Sequence, residues 1–328
     1  MYRKTQGNQI AVHDNMLRQA IQQQLESGQS RLYGRMFTYH HIRRQGINTS
    51  RDRVAKILKE LDPGGHQTRA FAQQRLPRGV YTVPGPGRVL SVDGHHKMSM
   101  YGIEVYGGID AYSRYVVTFL FLVILNLYQC RFIPWIYVGI SARTAVAVLR
   151  MYLDMIQETG FLPEAIRSDR GTETPMMANA HWQMHRAVSG DVDVPLKEVY
   201  WYGTSTLNQR IESWWRHLSK SLTLAWKKML DGMNDDGSFT GAYEDQIALL
   251  FIYMPLIRQH VYDFVELWNV HPIRAQRNRP YLPTGKPIVN YHCPPPGVVV
   301  YGKPVDQDLL KVLQKDVAAW GIYIFYFT

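Results

Sequence analysis

Three acidic residues stand where carboxylates can do chemistry. Asp93 follows Val-Leu-Ser-Val, Asp169 follows Ile-Arg-Ser, and Glu212 lies in Asn-Gln-Arg-Ile-Glu-Ser-Trp-Trp. The first two close short apolar, strand-like runs, and the third falls in a helix-like stretch. Carboxylates delivered this way can converge on divalent cations, and Mg2+ and Mn2+ prefer such oxygen ligands. Two ions about 3.5–4 Å apart activate an oxygen nucleophile and stabilise the leaving oxygen of a phosphodiester. That chemistry cuts or joins nucleic acid.

Taken singly, each residue has a plainer explanation. An Asp after a strand is commonly a turn or cap residue, and a Glu on a helix is commonly solvated. Glu212, however, neighbours Ile211, Trp214, Trp215 and Leu218, which puts it at the edge of an apolar stripe. His95, His96 and Lys97 follow Asp93 and could touch phosphate or simply end the strand. A zinc site on His95 and His96 is disfavoured, because adjacent strand residues point to opposite faces.

The elements that must hold these residues can be read along the chain of 328 residues. Residues 14–28 read as a polar helix. Residues 35–61 read as two helices about a Gly46–Ser50 turn, the second with Val54, Ile57 and Leu58 on one side and Arg51, Arg53, Lys56 and Lys59 around it. This fits either a helix-turn-helix DNA reader or a generic helical hairpin. Residues 62–87 form a basic Pro/Gly linker. From 88 to 232 the pattern is three antiparallel-type strands, then alternating helix and strand, an α/β pattern of the ribonuclease-H type. A helical, basic region covers 233–305, and 306–328 is a tail of doubtful origin.

Composition narrows the function classes. Hydrophobic residues make up 46% and charged residues 20% of the chain, which favours a folded protein. The net charge of +10 favours a polyanionic partner. Cys130 and Cys293 are too few for a disulfide framework or a cysteine-rich zinc site, and the N-terminus shows no apolar signal core, so an intracellular protein is expected. The apolar run 115–140 is broken by Asn126, Gln129, Arg131 and Pro134, against a membrane span.

Val-Asp-Gly-His-His-Lys, Gly-Gly-Ile-Asp-Ala-Tyr-Ser-Arg, Arg-Ser-Asp-Arg-Gly-Thr-Glu and Asn-Gln-Arg-Ile-Glu-Ser-Trp-Trp together resemble the integrase core (DDE) domain of retroviral integrases and transposases. The likeness is nearest to eukaryotic, fungal-type integrase-core proteins of transposon origin. It covers roughly 35–305 and includes Asn-Val-His-Pro-Ile-Arg-Ala-Gln-Arg-Asn-Arg-Pro from Asn269. The resemblance implies a ribonuclease-H-like fold, a catalytic triad of Asp93, Asp169 and Glu212 on two Mg2+ or Mn2+ ions, and strand transfer by a DNA 3′-hydroxyl. It also favours the helix-turn-helix reading, DNA as the partner, a homo-oligomer assembled on DNA and a nuclear location. DNA contacts are expected from Arg51, Arg53, Lys56, Lys97, Arg274, Arg277 and Arg279. Weaker candidates are Arg143, Lys220, Lys227 and Lys228.

The sequence also departs from the family. The interval from Asp169 to Glu212 is wider than the retroviral one. Thr118 to Pro134 adds seventeen residues of largely apolar, charge-poor composition inside the third strand, and the segment from Trp320 to Thr328 has a similar composition. Both read as products of a translated intron or similar gene-model artefact, which sequencing the mature transcript tests. An intact triad favours an active strand transferase or endonuclease. An interrupted sheet favours a domesticated or decayed relative that binds DNA without catalysis.

Overall fold

The computed structural model describes residues 2–26, 35–64, 82–116, 118–120, 132–134, 136–140, 143–191, 193–203, 208–277 and 282–320. They group into two compact units: Met1–Val80 with His217–Gly232, and Tyr81–Arg216 with Met233–Thr328.

The smaller unit begins with three helices, α1 (Tyr2–Glu26), α2 (Arg35–Arg44) and α3 (Arg51–Leu61). Leu17 and Ile21 of α1 pack with Ile42 of α2 and with Val54, Ile57 and Leu58 of α3. Each such side chain contributes about 1.5–3 kcal/mol when fully buried. Ser50 starts α3 by accepting a hydrogen bond from the Arg53 amide at 3.3 Å. That leaves Arg51, Lys56 and Lys59 exposed.

The larger unit is built on five strands: β1 (Val89–His95), β2 (Glu104–Asp110), β5 (Ile136–Gly139), β7 (Ala165–Ser168) and β8 (Tyr200–Tyr202). Their order is β5-β2-β1-β7-β8. β1, β2 and β5 pair antiparallel, whereas β1, β7 and β8 pair parallel. With helices on the sheet, this is the order and polarity of a ribonuclease-H-like core. Helices α4 (Ala145–Thr159) and α5 (Pro175–Ser189) supply Val148, Tyr152, Ile156, Met177 and Met184 to a core shared with Leu90, Val92, Tyr106 and Ile166.

The four-residue helix α6 (Leu196–Val199) leads into β8. Then come α7 (Gln209–Leu218), a π-helical turn at Ser219–Thr223, α8 (Leu224–Asp235), the long α9 (Tyr243–Val270) and α10 (Pro287–His292). Short β6 (Phe161–Leu162) and β9 (Lys303–Pro304) pair with each other. The final helix, α11 (Gln307–Ala319), is capped by Asp306 and places Leu310 and Val317 in the same core. Residues 307–319 therefore belong to the fold, although they fall in the segment the sequence leaves as a doubtful tail. The end of that tail, 321–328, lies outside the described residues.

Two motifs acquire structural explanations. The Asp110 carboxylate accepts from the Gly87 amide at 2.9 Å and from the Ser113 amide and hydroxyl at 2.7 Å each, closing the turn after β2. The Pro84–Gly87 run packs within the larger unit. A Cβ at Gly85 would lie 2.0 Å from the Val299 carbonyl, and Gly87 has φ +75 with Gly302 N 2.6 Å from where its Cβ would be. Only glycine admits that approach.

The third strand is interrupted and resumes in phase. Ile109 pairs with Val116, and Gly107 pairs with Ile136. An uninterrupted ladder has one residue between those two partners, whereas here there are nineteen, so eighteen are surplus. An even surplus preserves the alternation of faces. This is one more than the seventeen counted from the sequence, because the ladder takes up Ile136 rather than Trp135. Within the surplus, β3 (Thr118–Leu120) and β4 (Phe132–Pro134) pair antiparallel in a separate two-stranded sheet. Residues 121–131, including Asn126, Gln129, Cys130 and Arg131, lie outside the described residues. Among the described residues, no helix is long and apolar enough to cross a membrane.

Candidate active site

β1 and β7 place two carboxylates near each other. Their parallel register runs Val89 to Ala165, Leu90 to Ile166 and Ser91 to Arg167. Continued two residues past its last pair, the same register leads to Asp93 and Asp169, and the Asp169 charge acts on Asp93. β1 continues to His95, so Asp93 lies inside the strand opposite Gly107 rather than at its end. Asp169 directly follows β7, as its apolar run predicts.

Glu212 arrives on α7, which two polar contacts fasten to β1. Just ahead of the helix, Asn208 Nδ2 donates to the Val92 carbonyl at 2.8 Å. Trp215 Nε1 donates to Asp93 Oδ2 at 3.0 Å. Positions 208, 212 and 215 share one face at helical spacing, so Glu212 is held between the two anchors. The Trp215 ring also stacks on His95 at 4.9 Å.

The three acids share one electrostatic field. Burial, then the charges of Glu212 and Asp169, push Asp93 up to about 7, against the opposing pull of the Gly94 amide and the Trp215 indole. Burial and the Asp169 charge also raise Glu212, partly offset by Arg216 and Lys97. A cation would relieve this repulsion. The all-oxygen donor set suits a hard divalent ion, although among the described residues no three acidic, His or Cys side chains stand together ready to hold a metal.

Around the acids stand residues with no assigned role in the sequence reading. The Tyr106 side chain is fully buried, and its hydroxyl lies in the field of Tyr200, Glu173, Asp93 and Asp169. Tyr200 donates to Ser168 Oγ at 3.0 Å. Asn208 and Glu173 were visible only as neighbours of the acids in their motifs, and Trp215 only as part of an apolar stripe. His95 is buried, with its pKa lowered to about 4 by desolvation, then by Lys97 and His96. It is a packed neutral ring, whereas His96 is exposed.

The basic residues separate by their partners. Arg51 and Lys56 are exposed on α3, whereas Arg53 pairs with Asp14 at 3.2 Å. Lys97 is exposed and close enough to Glu212 to lower its pKa. Arg274 and Arg277 are exposed on a loop closed by the Ile273–Gly285 pair. Arg279 lies outside the described residues. Arg143 pairs with Glu104 at 2.7 Å and Lys227 with Asp231 at 2.8 Å, which weakens both as phosphate ligands. Lys220 is half-buried in the π-helical turn, and Lys228 is exposed on α8.

No curated protein matches the chain. Residues 128–284, which contain β5, Asp169, Glu212 and most of the basic loop after α9 but not Asp93, match the family model of the integrase core domain.

Proposed function

We propose that this protein is a divalent-metal-dependent DNA strand transferase or endonuclease of the integrase–transposase type, with Asp93, Asp169 and Glu212 as its catalytic acids. The observation that carries the reading is the mutual electrostatic effect of the three carboxylates, with Asp93 on β1, Asp169 directly after the neighbouring parallel β7, and Glu212 on a helix fastened to β1 by Asn208 and Trp215. The three carboxylates would hold Mg2+ or Mn2+. Ions bound there would activate the attacking oxygen and stabilise the leaving one. β1 would fix Asp93, the end of β7 would position Asp169, and α7 would orient Glu212. Lys97, whose charge reaches Glu212, would meet a phosphate of the DNA, as would exposed Arg274 and Arg277. In strand transfer a DNA 3′-hydroxyl forms the new P–O bond while the target strand's 3′ oxygen leaves.

The test is Mg2+-dependent nicking and joining of duplex DNA by the purified full chain. Asp169→Asn is expected to lower the rate at least about a hundredfold, the scale of losing a group that acts in the transition state. Equal activity in the variant would remove Asp169 from the triad. A second reading, DNA binding without catalysis, is favoured by the interruption of the third strand between Val116 and Ile136. It gains if wild type and variant bind DNA equally and both leave it uncut.

A further inference from the structure

β7 ends at Ser168, and Asp169 opens the loop that leads to α5. Main-chain pairing with β8 reaches the Ser168 carbonyl, which accepts from the Gly203 amide at 3.0 Å. Beyond it, side chains take over. Ser168 Oγ donates to the Asp169 carbonyl at 2.8 Å and accepts from the Tyr200 hydroxyl at 3.0 Å. Ser168 and Tyr200 are both buried, so water competes little for these bonds. At the far end of the loop, Thr174 Oγ1 donates to the Gly171 carbonyl at 2.9 Å. Thr174 is itself buried and acts on the Tyr200 hydroxyl. Between those ends Arg170 and Thr172 are exposed, so hydrogen bonds rather than apolar packing hold the loop.

We propose that Tyr200 is a positioning residue for Asp169, acting through Ser168. The Tyr200 hydroxyl orients Ser168 Oγ, and Ser168 in turn holds the peptide plane that follows Asp169. Peptide planes are rigid, so fixing that one fixes ψ of Asp169. The carboxylate is then limited in how far it can swing away from the end of β7. Burying a hydroxyl costs free energy unless it is bonded, and here the bond falls on the strand end that carries Asp169. A phenylalanine would fill the same core volume without reaching Ser168. The role deepens the metal-site reading and rests on Asp169 being one of its acids.

Hydrogen exchange of the metal-free full chain, with Mn2+ calorimetry beside it, tests the role. Tyr200→Phe keeps the ring and removes the donor, and Ser168→Ala removes the middle link. Each is expected to speed amide exchange across 170–174 about tenfold, the scale of one lost hydrogen bond, with β1 and α4 unchanged. Each is also expected to weaken Mn2+ binding about tenfold, as losing a group that orients a metal ligand does. The double variant should be no worse than the worse single one, because both break the same chain of bonds. A merely structural hydroxyl would speed exchange throughout the core and leave Mn2+ affinity where it was. That result, exchange across 170–174 like wild type in Tyr200→Phe, or additive losses in the double variant would each overturn the role of Tyr200 and leave Asp169 as a metal ligand. A wild type that binds no Mn2+ would instead overturn the metal-site reading and this role with it. Should Tyr200→Phe fail to fold, Ser168→Ala decides by the same two measurements.

Discussion

Trp215 does two jobs at the residue scale. Its indole N–H steadies the Asp93 carboxylate, and its ring stacks on His95. Trp215→Phe keeps a ring and removes the donor. Because that bond lowers the Asp93 pKa, its loss raises it further and leaves more of the carboxyl protonated near neutrality. Mn2+ affinity is therefore expected to fall about tenfold at pH 7 and to recover as the pH rises, measurable by calorimetry without any DNA. An affinity loss that is the same at every pH would show that the residue acts through packing alone. Removing the repulsion has the opposite effect on stability. Metal-free Asp93→Asn is expected to melt about 2–4 °C above wild type at pH 8, the shift given by about 1 kcal/mol, and to lose stabilisation by Mg2+. A lower melting temperature would contradict the repulsive field described for the three acids. The acids as candidates were legible because their flanking motifs, taken together, are specific. The role of Trp215 was not, since a tryptophan in an apolar helical stripe reads as core.

At the scale of elements, α9 repairs what the interruption breaks. The Asn269 side chain accepts from the Val116 amide and donates to the Val116 carbonyl, both at 3.0 Å. Trp268 Nε1 donates to the Arg114 carbonyl at 2.8 Å. On the far side of the surplus, Arg258 Nε and Nη2 donate to the Val138 carbonyl at 3.1 and 3.0 Å. Edge-strand groups on both sides of the break are thus satisfied by one helix. Deleting 118–135 is expected to leave a folded protein, since Val117 would then run into Ile136 in register. Deleting 118–134 instead puts Trp135 one place out of phase and should melt lower. Equal melting of the two deletions would refute the register argument.

A second element, α5, carries His181, buried with Tyr152 Oη 2.6 Å from its Nδ1. Burial, then the nearby His185, hold its pKa well below the usual 6.5. The unfolded chain takes up a proton below about pH 6.5 that the folded chain refuses, so stability falls as the pH drops through and below that value. His181→Gln should shrink the difference in unfolding free energy between pH 7.5 and pH 5 by about 1 kcal/mol or more. An unchanged difference would rule out His181 as a source of acid sensitivity.

For the whole molecule, a net charge of +10 predicts salt-dependent DNA binding. Replacing exposed Arg274 and Arg277 with Ala is expected to reduce the slope of log affinity against log salt by about 1.8, near 0.9 per lost phosphate contact. Arg53→Ala should change it less, because Asp14 already holds that guanidinium. Equal effects would show that the Asp14 pair opens on DNA.

The strand–helix pattern, the basic second helix at 51–61 and the candidacy of the three acids could be read from the sequence, because periodicity and flanking motifs are local properties of the chain. The neighbouring placement of Asp93 and Asp169, the fastening of Glu212 by Asn208 and Trp215, and the in-phase return of the third strand were decided by tertiary structure. Each depends on register between segments far apart in the chain. Asn208 reaches back 116 residues to Val92, and Asn269 reaches 153 residues to Val116. Such contacts arise from the packing of one element on another, which spacing along a single strand or helix does not encode.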